Sequence, residues 1–324
     1  MTGPCEDPSG QVFPSAPGPT VFLTGANGFI GGALLRRLLE QGYCVTVSGR
    51  RRPDASGAGF VELDLRETAH MEKALCALPG FDFVIHAAGS LRADCEAVND
   101  LGTRALLRSL GSRSGRWIQV GSAGVYRNPH WGVIDEETPT EPVNVYETSK
   151  LQADLAVRDT HPDAVILRPT MVAGAGMKGV PLRLLLQLLR TGIVPGVEAD
   201  ALLNLVHVND VVDAVLRVCA SPPQGGADFI LSDDLPLIAC LDLMASEIGR
   251  ERASFRVPRE VLRLGAEAGS LFGLDVFNRR RLEILENRAR FSSARFQNIH
   301  PSWPAAGSAG AIADFVRGEN PHNP

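Results

Sequence analysis

The chain has 324 residues, 44% of them apolar and 21% charged, and 32 basic against 37 acidic side chains leave a net charge of −5. That profile can bury a sizeable core, and it carries no electrostatic footprint for nucleic acid or for an anionic membrane. No apolar run approaches the ~18 residues that span a bilayer; the stretch from Leu182 to Leu189 is broken by Arg183 and Gln187.

The six cysteines (Cys5, Cys44, Cys76, Cys95, Cys219 and Cys240) include no CxxC pair, and the seven histidines are scattered. Neither a disulfide framework nor a metal site is expected. The first residues lack the basic and apolar regions of a secretory leader, so a cytoplasmic location is expected. Residues 1–18, with Pro4, Pro8, Pro14 and Pro17, are expected to form a disordered tail.

The first predicted unit is an apolar strand from Val21, a turn with Gly25, Gly28 and Gly31, and a helix carrying Leu34, Leu35, Leu38 and Leu39 on one face. Strand, glycine turn and helix together bring a phosphate close to backbone N–H groups at a helix N-terminus. Gly25 suits the tight turn, Gly28 lets a pyrophosphate approach, and Gly31 lets helix and strand pack closely. A structural turn that binds nothing would read the same way, so the rest of the chain has to decide.

Tyr43–Ser48 is the second predicted strand and ends in Gly49-Arg50-Arg51-Arg52. In a dinucleotide fold this strand end faces the adenosine ribose, where an acid would take the 2′-hydroxyl of NAD. Here there is no acid, and a guanidinium suits a 2′-phosphate because it offers a planar fork of donors. NADP is therefore favoured, with NAD as the alternative.

Phe60–Leu63 is a third strand, followed by Asp64-Leu65; residues 67–77 are a predicted helix, and Phe83–Ile85 is a fourth strand ending in His86-Ala87-Ala88-Gly89. Small residues at a strand's C-terminal end leave room for a flat ligand. A helix over residues 100–110 and a strand at Trp117–Val120 follow, then Gly121-Ser122-Ala123-Gly124-Val125-Tyr126. Tyr146 and Lys150 share one face of the next helix, being four apart. Ala164–Leu167 is a sixth strand, closed by Arg168-Pro169. Helices are predicted over 177–191, 237–248 and from Arg279 to about Arg290, with a late strand at Phe229–Leu231.

These motifs, in this order, resemble the extended short-chain dehydrogenase/reductase family, in its nucleotide-sugar epimerase, dehydratase and reductase branch. The matching residues are Thr24-Gly25-x-x-Gly28-x-x-Gly31, Asp64-Leu65, His86-Ala87-Ala88, Asn99-x-x-Gly102-Thr103, Ser122-x-x-Val125-Tyr126, Tyr146-x-x-x-Lys150, Arg168-Pro169 and His207-Val208-x-Asp210-Val211. The resemblance implies an α/β fold: a Rossmann-type doubly wound parallel sheet with a smaller C-terminal substrate lobe. Residues 19–173, with a return around 205–232, are the expected dinucleotide-binding domain; 174–204 and 233–320 are the expected lobe.

The resemblance also implies roles. Tyr146 looks like the catalytic acid/base, Lys150 like its partner and a ribose ligand, and Ser122 like the hydroxyl on the reacting oxygen. Gly25, Asn27, Gly28, Phe29, Ile30, Gly31, Arg50, Asp64, Leu65, His86, Ala87, Ala88, Asn99 and Arg168 join Tyr146 and Lys150 as expected cofactor contacts. Ser122, Ala123, Tyr146, Arg183 and Arg280 are expected at the substrate. The chemistry agrees: a free tyrosine, with pKa about 10, is a poor base near neutrality. A Lys⁺ at ~5 Å is worth roughly 3 kcal/mol at an effective dielectric near 20, but under 1 kcal/mol in bulk water. Such a pair works only in a partly desolvated cleft.

Two departures limit the substrate reading. Arg127 stands where the family often has glycine after Val-Tyr. Ala123-Gly124 replaces the Asp-Glu pair usual in 4,6-dehydratases, so dehydration is not expected. A nucleotide-sugar keto-reductase is the first expectation, with a 4-epimerase that retains its cofactor as the alternative. A sterol or alcohol dehydrogenase of the same family and a non-catalytic cofactor-binding protein are further alternatives. A homodimer is expected from the resemblance alone.

Overall fold

The computed structural model describes residues 18–129, 131–195, 200–250, 255–257 and 287–319. The chain divides into two compact units, Met1–Arg127 with Thr138–Pro169 and Val211–Ile230, and Asn128–Glu137 with Thr170–Asp210 and Leu231–Pro324.

The first unit is built on a seven-stranded sheet. Strands β1 (Thr20–Thr24), β2 (Cys44–Gly49), β3 (Gly59–Glu62), β4 (Phe81–His86), β5 (Ser114–Val120), β7 (Val165–Pro169) and β12 (Ala227–Leu231) take the order β12-β7-β5-β4-β1-β2-β3. The pairings β1–β2, β1–β4, β2–β3, β4–β5 and β5–β7 are all parallel. Val21, Phe22, Leu23 and Thr24 are all buried, as expected for a central parallel strand covered on both faces. The chain moves from β1 to β3 towards one edge and then from β4 to β12 towards the other. The order therefore reverses between β1 and β4, which is where an open α/β sheet leaves a ligand crevice at its carboxyl ends.

Helices α1 (Phe29–Glu40), α2 (Thr68–Leu75), α3 (Gly102–Leu110) and α4 (Val145–Thr160) connect the strands. A π-helical turn, Glu96–Leu101, leads directly into α3. One face of the sheet buries Phe22, Met71, Leu75, Leu106, Leu110 and Trp117 in a single apolar cluster. Helix α4 begins at Asn144, whose side chain accepts from Glu147 N at 3.0 Å while Glu147 Oε2 accepts from Val143 N at 2.8 Å. This reciprocal cap fixes the helix start and puts Tyr146 in its first turn.

The second unit holds the short strands β6 (Val133–Ile134), β8 (Met171–Ala173), β9 (Ile193–Pro195), β10 (Leu202–Leu203), β11 (Leu205–His207), β13 (Leu235–Pro236), β14 (Phe255–Val257) and β15 (Arg290–Phe291). They pair two by two, as β10–β13, β11–β8, β14–β9 and β15–β6. Its helices are α5 (Val180–Thr191), α7 (Leu237–Glu247), α8 (Ala294–Ile299) and α9 (Gly307–Gly318); α6 (Val208–Ala220) starts in this unit and runs into the first. Asp210 organises the unit's end: its carboxylate accepts from the N–H groups of Ala305, Ala306 and Gly307 at 2.8–2.9 Å.

Three differences from the sequence expectation stand out. Residues 128–137 belong to the second unit, because Val133 and Ile134 pair there with Arg290 and Phe291. That same pairing replaces the helix expected to reach Arg290. Most of that expected helix, with Arg280, lies outside the described residues. Helix α5 starts at Val180 with Pro181 in its first turn, not at Met177, since proline is best placed at a helix start. Among the described residues no helix is long and apolar enough to cross a membrane, and no group of three acidic, histidine or cysteine side chains could hold a metal ion.

Candidate active site

The glycine turn after β1 has the geometry its spacing predicts. Gly25 has φ +78°, and a Cβ there would lie 2.6 Å from Ala88 N and 2.7 Å from Ala87 C. A Cβ on Gly31 would lie 2.1 Å from the Gly25 carbonyl oxygen. Both positions therefore exclude any side chain. Gly28 is the N-cap of α1, no side chain caps that end, and no acid sits in its first turn. The first N–H groups of the helix have no intrahelical acceptors, which leaves them to an anion.

A cavity of about 550 Å³ opens above this turn, entirely within the first unit. The glycine turn forms its floor, Ala87 and Ala88 one wall, and Asp64 and Leu65 another; Arg50, Arg51, Arg66 and Arg92 stand around it. Asn27 donates through Nδ2 to the Arg51 carbonyl at 2.7 Å, tying the glycine turn to the arginine loop. Among the described residues the Arg50 guanidinium holds no hydrogen bond or ion pair. Asp64 is gripped by Arg66, whose Nε and Nη2 donate at 3.0 and 2.5 Å. That hydrogen bonding holds the Asp64 carboxyl below the usual range. A glycine cradle, a free helix end and the guanidiniums of Arg50, Arg51 and Arg92 are donors of the kind that a dinucleotide's phosphates take.

His86 does not line the cavity. It is 1% exposed, with Nδ1 at 2.7 Å from Thr24 Oγ1 and Nε2 at 2.8 Å from Thr103 Oγ1. Thr24 Oγ1 accepts from Ala88 N at 3.1 Å, and the Thr103 hydroxyl donates to the Asn99 carbonyl. Thr103 therefore accepts from Nε2–H, and Thr24 donates to Nδ1, which assigns a neutral tautomer. Burial, with Lys150 nearby, lowers its pKa to about 3. His86 supports the wall formed by Ala87 and Ala88 and is not itself part of it. Asn99 is likewise buried: its side chain bonds Ser90 N and O at 2.7 and 3.0 Å and Ser149 Oγ at 3.0 Å. Phe29 and Ile30 lie in the first turn of α1, half-buried and outside the cavity lining.

The three expected catalytic residues lie together at the ends of β5 and α4. Ser122 is half-buried, and its Oγ accepts from Gly124 N at 3.2 Å. Burial raises the pKa of the Tyr146 hydroxyl, and the neighbouring Ser122 hydroxyl opposes that rise. Lys150 is 5% exposed and donates through Nζ to the Val120 carbonyl at 2.6 Å. Burial pulls its ammonium below the usual range. Lys150 thus reaches from α4 to the carbonyl at the end of β5, two residues before Ser122. Ala123 is buried, and its carbonyl accepts from Tyr126 N at 3.2 Å.

Two arginines are engaged elsewhere. Arg168 is 6% exposed; Nε donates to Asp154 Oδ2 at 2.9 Å and Nη1 to Tyr126 Oη at 2.6 Å. It is a buried ion-pair residue and does not line the cavity over the glycine turn. In the second unit, Arg183 forms a fork with Glu319 at 3.0 and 2.6 Å, so its charge is already matched.

The sequence pattern of the NAD dependent epimerase/dehydratase family matches residues 21–231. The chain belongs to that family. Among its relatives, the probable low-salt glycan biosynthesis reductase Agl14 of Haloferax volcanii is 32% identical over 162 residues, 48% of this chain and 54% of the reductase. The UDP-glucose 4-epimerase of Azospirillum brasilense is 27% identical over 255 residues, 67% of this chain and 73% of the epimerase. The matched stretch thus spans about half the length of the first of these relatives and nearly three quarters of the second. The solved structure of the Bordetella bronchiseptica enzyme WbmH, in complex with NAD+, shares the fold at a TM-score of 0.73, 20% identity and coverage of 94% of this chain and 99% of that one. The family is described as NAD dependent, in keeping with the glycine cradle.

Proposed function

We propose that this family member is an NADP-dependent reductase of a keto group on a nucleotide-activated sugar. The observation that carries the reading is the arginine-rimmed cavity: Arg50 stands at the end of β2 where an NAD-specific site places an acid. A dissociable NADPH suits net reduction, and the resemblance to a glycan biosynthesis reductase points the same way. Gly25, Gly28 and Gly31 would receive the pyrophosphate, Arg50 and Arg51 the 2′-phosphate, and Asp64 with Leu65 the adenine. The nicotinamide would supply the hydride.

The chain's own residues do the rest. Ser122 hydrogen-bonds the carbonyl oxygen and fixes its direction. Tyr146, whose raised pKa keeps its hydroxyl protonated near neutrality, gives its proton to the developing alkoxide. Lys150, as an ammonium below, stabilises the phenolate that remains. A 4-epimerase uses the same three residues, and the resemblance to a UDP-glucose 4-epimerase keeps that second reading in place. A homodimer in the cytoplasm remains part of the proposal by resemblance.

The test is to mix purified protein with NADPH and UDP- or dTDP-linked 4-keto-sugars and follow absorbance at the nicotinamide band. Stoichiometric NADPH oxidation supports the reductase. Interconversion of UDP-sugars with no net oxidation would replace it by the epimerase.

A further inference from the structure

Helix α4 buries two charges on one face, Lys150 at 5% and Asp154 at 1% exposure. Tyr146, Lys150 and Asp154 recur at a spacing of four, so they lie along one stripe. Charges are seldom placed on the buried face of a helix without a partner. Asp154 has one partner: Oδ2 accepts from Arg168 Nε at 2.9 Å, while Oδ1 is buried with no hydrogen bond. Arg168 continues to Asp228 at 2.9 Å, and Asp228 pairs onward with Arg158. In that row of two anions and two cations every charge is already matched. Lys150 is a further cation, buried like Arg168.

Asp154 also lies directly beneath the turn that carries Ser122. A Cβ on Gly121 would lie 3.0 Å from Asp154 Oδ2 and 3.1 Å from Arg168 Cγ. Lys150 Nζ is held by Val120, the residue before Gly121. Val120, Gly121 and Ser122 therefore rest on Lys150 and on the Asp154–Arg168 pair.

We propose that Asp154 is a positioning residue of the active site, whose carboxylate, one turn along the same buried face of α4, favours the ammonium form of Lys150 and whose bond to Arg168 seats the Ser122 turn. The proposal rests on the Ser122–Tyr146–Lys150 reading above. The groups around Lys150 are Tyr146 and Asp154 on α4, the Val120 carbonyl on β5, and His86 on β4, which is neutral. Asp154 has Arg168 on β7 and Lys150 on α4 as its neighbouring cations, with Asp228 on β12 behind Arg168; the groups around Tyr146 are Ser122, Asp154, Glu147 and Cys95. Burial lowers the pKa of Lys150 and Asp154 opposes that fall. Without the carboxylate, Lys150 gives up its proton at lower pH.

The chain has only three lysines, Lys73, Lys150 and Lys178, so Lys150 can be titrated directly. The full chain is labelled with ¹³Cε-lysine, and the resonances are assigned by Lys73→Arg and Lys178→Arg. The Lys150 midpoint in Asp154→Asn is expected at least about one pH unit below wild type, tenfold in proton affinity. In Asp228→Asn, which loosens the same row but leaves Asp154 charged, it is expected within about 0.3 unit of wild type. An unchanged midpoint in Asp154→Asn, or equal shifts in both variants, would overturn the proposal. If Asp154→Asn does not fold, Asp154→Glu serves: a retained midpoint supports the proposal and a fall of about one unit overturns it. In turnover, the alkaline limb of kcat should fall with the resonance. The resonance needs no substrate, so a missing keto-sugar activity would sink the functional reading without touching this one.

Discussion

The two ends of the proposed site are built from opposite electrostatics. At the cavity over the glycine turn, guanidiniums stand around open space, and Arg50 and Arg51 are exposed. At the Ser122–Tyr146–Lys150 end, Lys150, Asp154 and Arg168 are each at most 6% exposed. Charge in contact with water is cheap to place and worth little until a ligand desolvates it. Charge inside the protein is costly, and its effect on a neighbouring proton is correspondingly larger. The open end can therefore select a cofactor while being replaceable, and the buried end can tune a proton transfer but tolerates little change. Substitutions at the two ends should differ in size and in kind.

The largest effect is expected at the buried end. Tyr146→Phe removes the hydroxyl proposed to give its proton to the developing alkoxide, and kcat should fall by roughly 10²–10⁴. The NADPH dissociation constant, measured by fluorescence titration, should stay within about threefold, since the lost group contributes to chemistry more than to binding. Turnover at the wild-type rate would refute the acid/base assignment.

Next comes the cradle that joins the two ends. Gly31→Ala puts a methyl carbon 2.1 Å from the Gly25 carbonyl oxygen, so β1 and α1 must move apart. Destabilisation of roughly 1–3 kcal/mol is expected from overpacking, together with loss of cofactor binding. Urea unfolding with and without NADPH measures both; unchanged stability and unchanged NADPH protection would mean that the close approach is not needed.

His86 sets the acid limit. Its folded pKa is about 3, against about 6.5 in an unfolded chain. The unfolded state therefore takes up a proton first as pH falls. The contribution is fully present above about pH 6.5 and is lost towards pH 3, at up to ~1.4 kcal/mol per unit. Urea midpoints between pH 7 and 4 should drop more steeply in wild type than in His86→Gln, which cannot titrate. Parallel pH dependences would remove His86 as the cause.

What could be read from the sequence follows the same division. Gly25 and Gly31 were legible because only glycine satisfies a positive φ or a near-zero distance, and such demands mark the sequence at fixed spacings. Tyr146 and Lys150 were legible because a helix repeat puts them on one face. Asp154 was not, because an acid four residues after a lysine reads as a solvated ion pair until burial is known. Arg168 and His86 lay in recognisable motifs, but their roles depend on Asp154 on α4 and on Thr24 on the neighbouring strand β1. Arg183 gave no sign in the sequence of its pairing with Glu319, 136 positions away. Residues 128–137 carried no sign of their pairing with β15, since short strands have too few residues to display a pattern.

The smallest effect is expected at the open end, and it is the most specific. Arg50 has no partner among the described residues to lose, so Arg50→Ala should leave the urea midpoint unchanged. A charge-assisted hydrogen bond to a phosphate contributes about 1.5–3 kcal/mol, and Arg51 and Arg66 remain on the same cavity. The NADPH affinity should therefore fall by about tenfold, the lower end of that range. NADH has no 2′-phosphate, and its affinity should hardly move, so the ratio of the two constants is the quantity to read. A matched loss for both cofactors would make Arg50 a general phosphate contact and return the site to NAD. A loss confined to NADPH would separate the two ends of the proposed site: one chooses the cofactor, and the other, untouched, retains the wild-type pH profile of kcat.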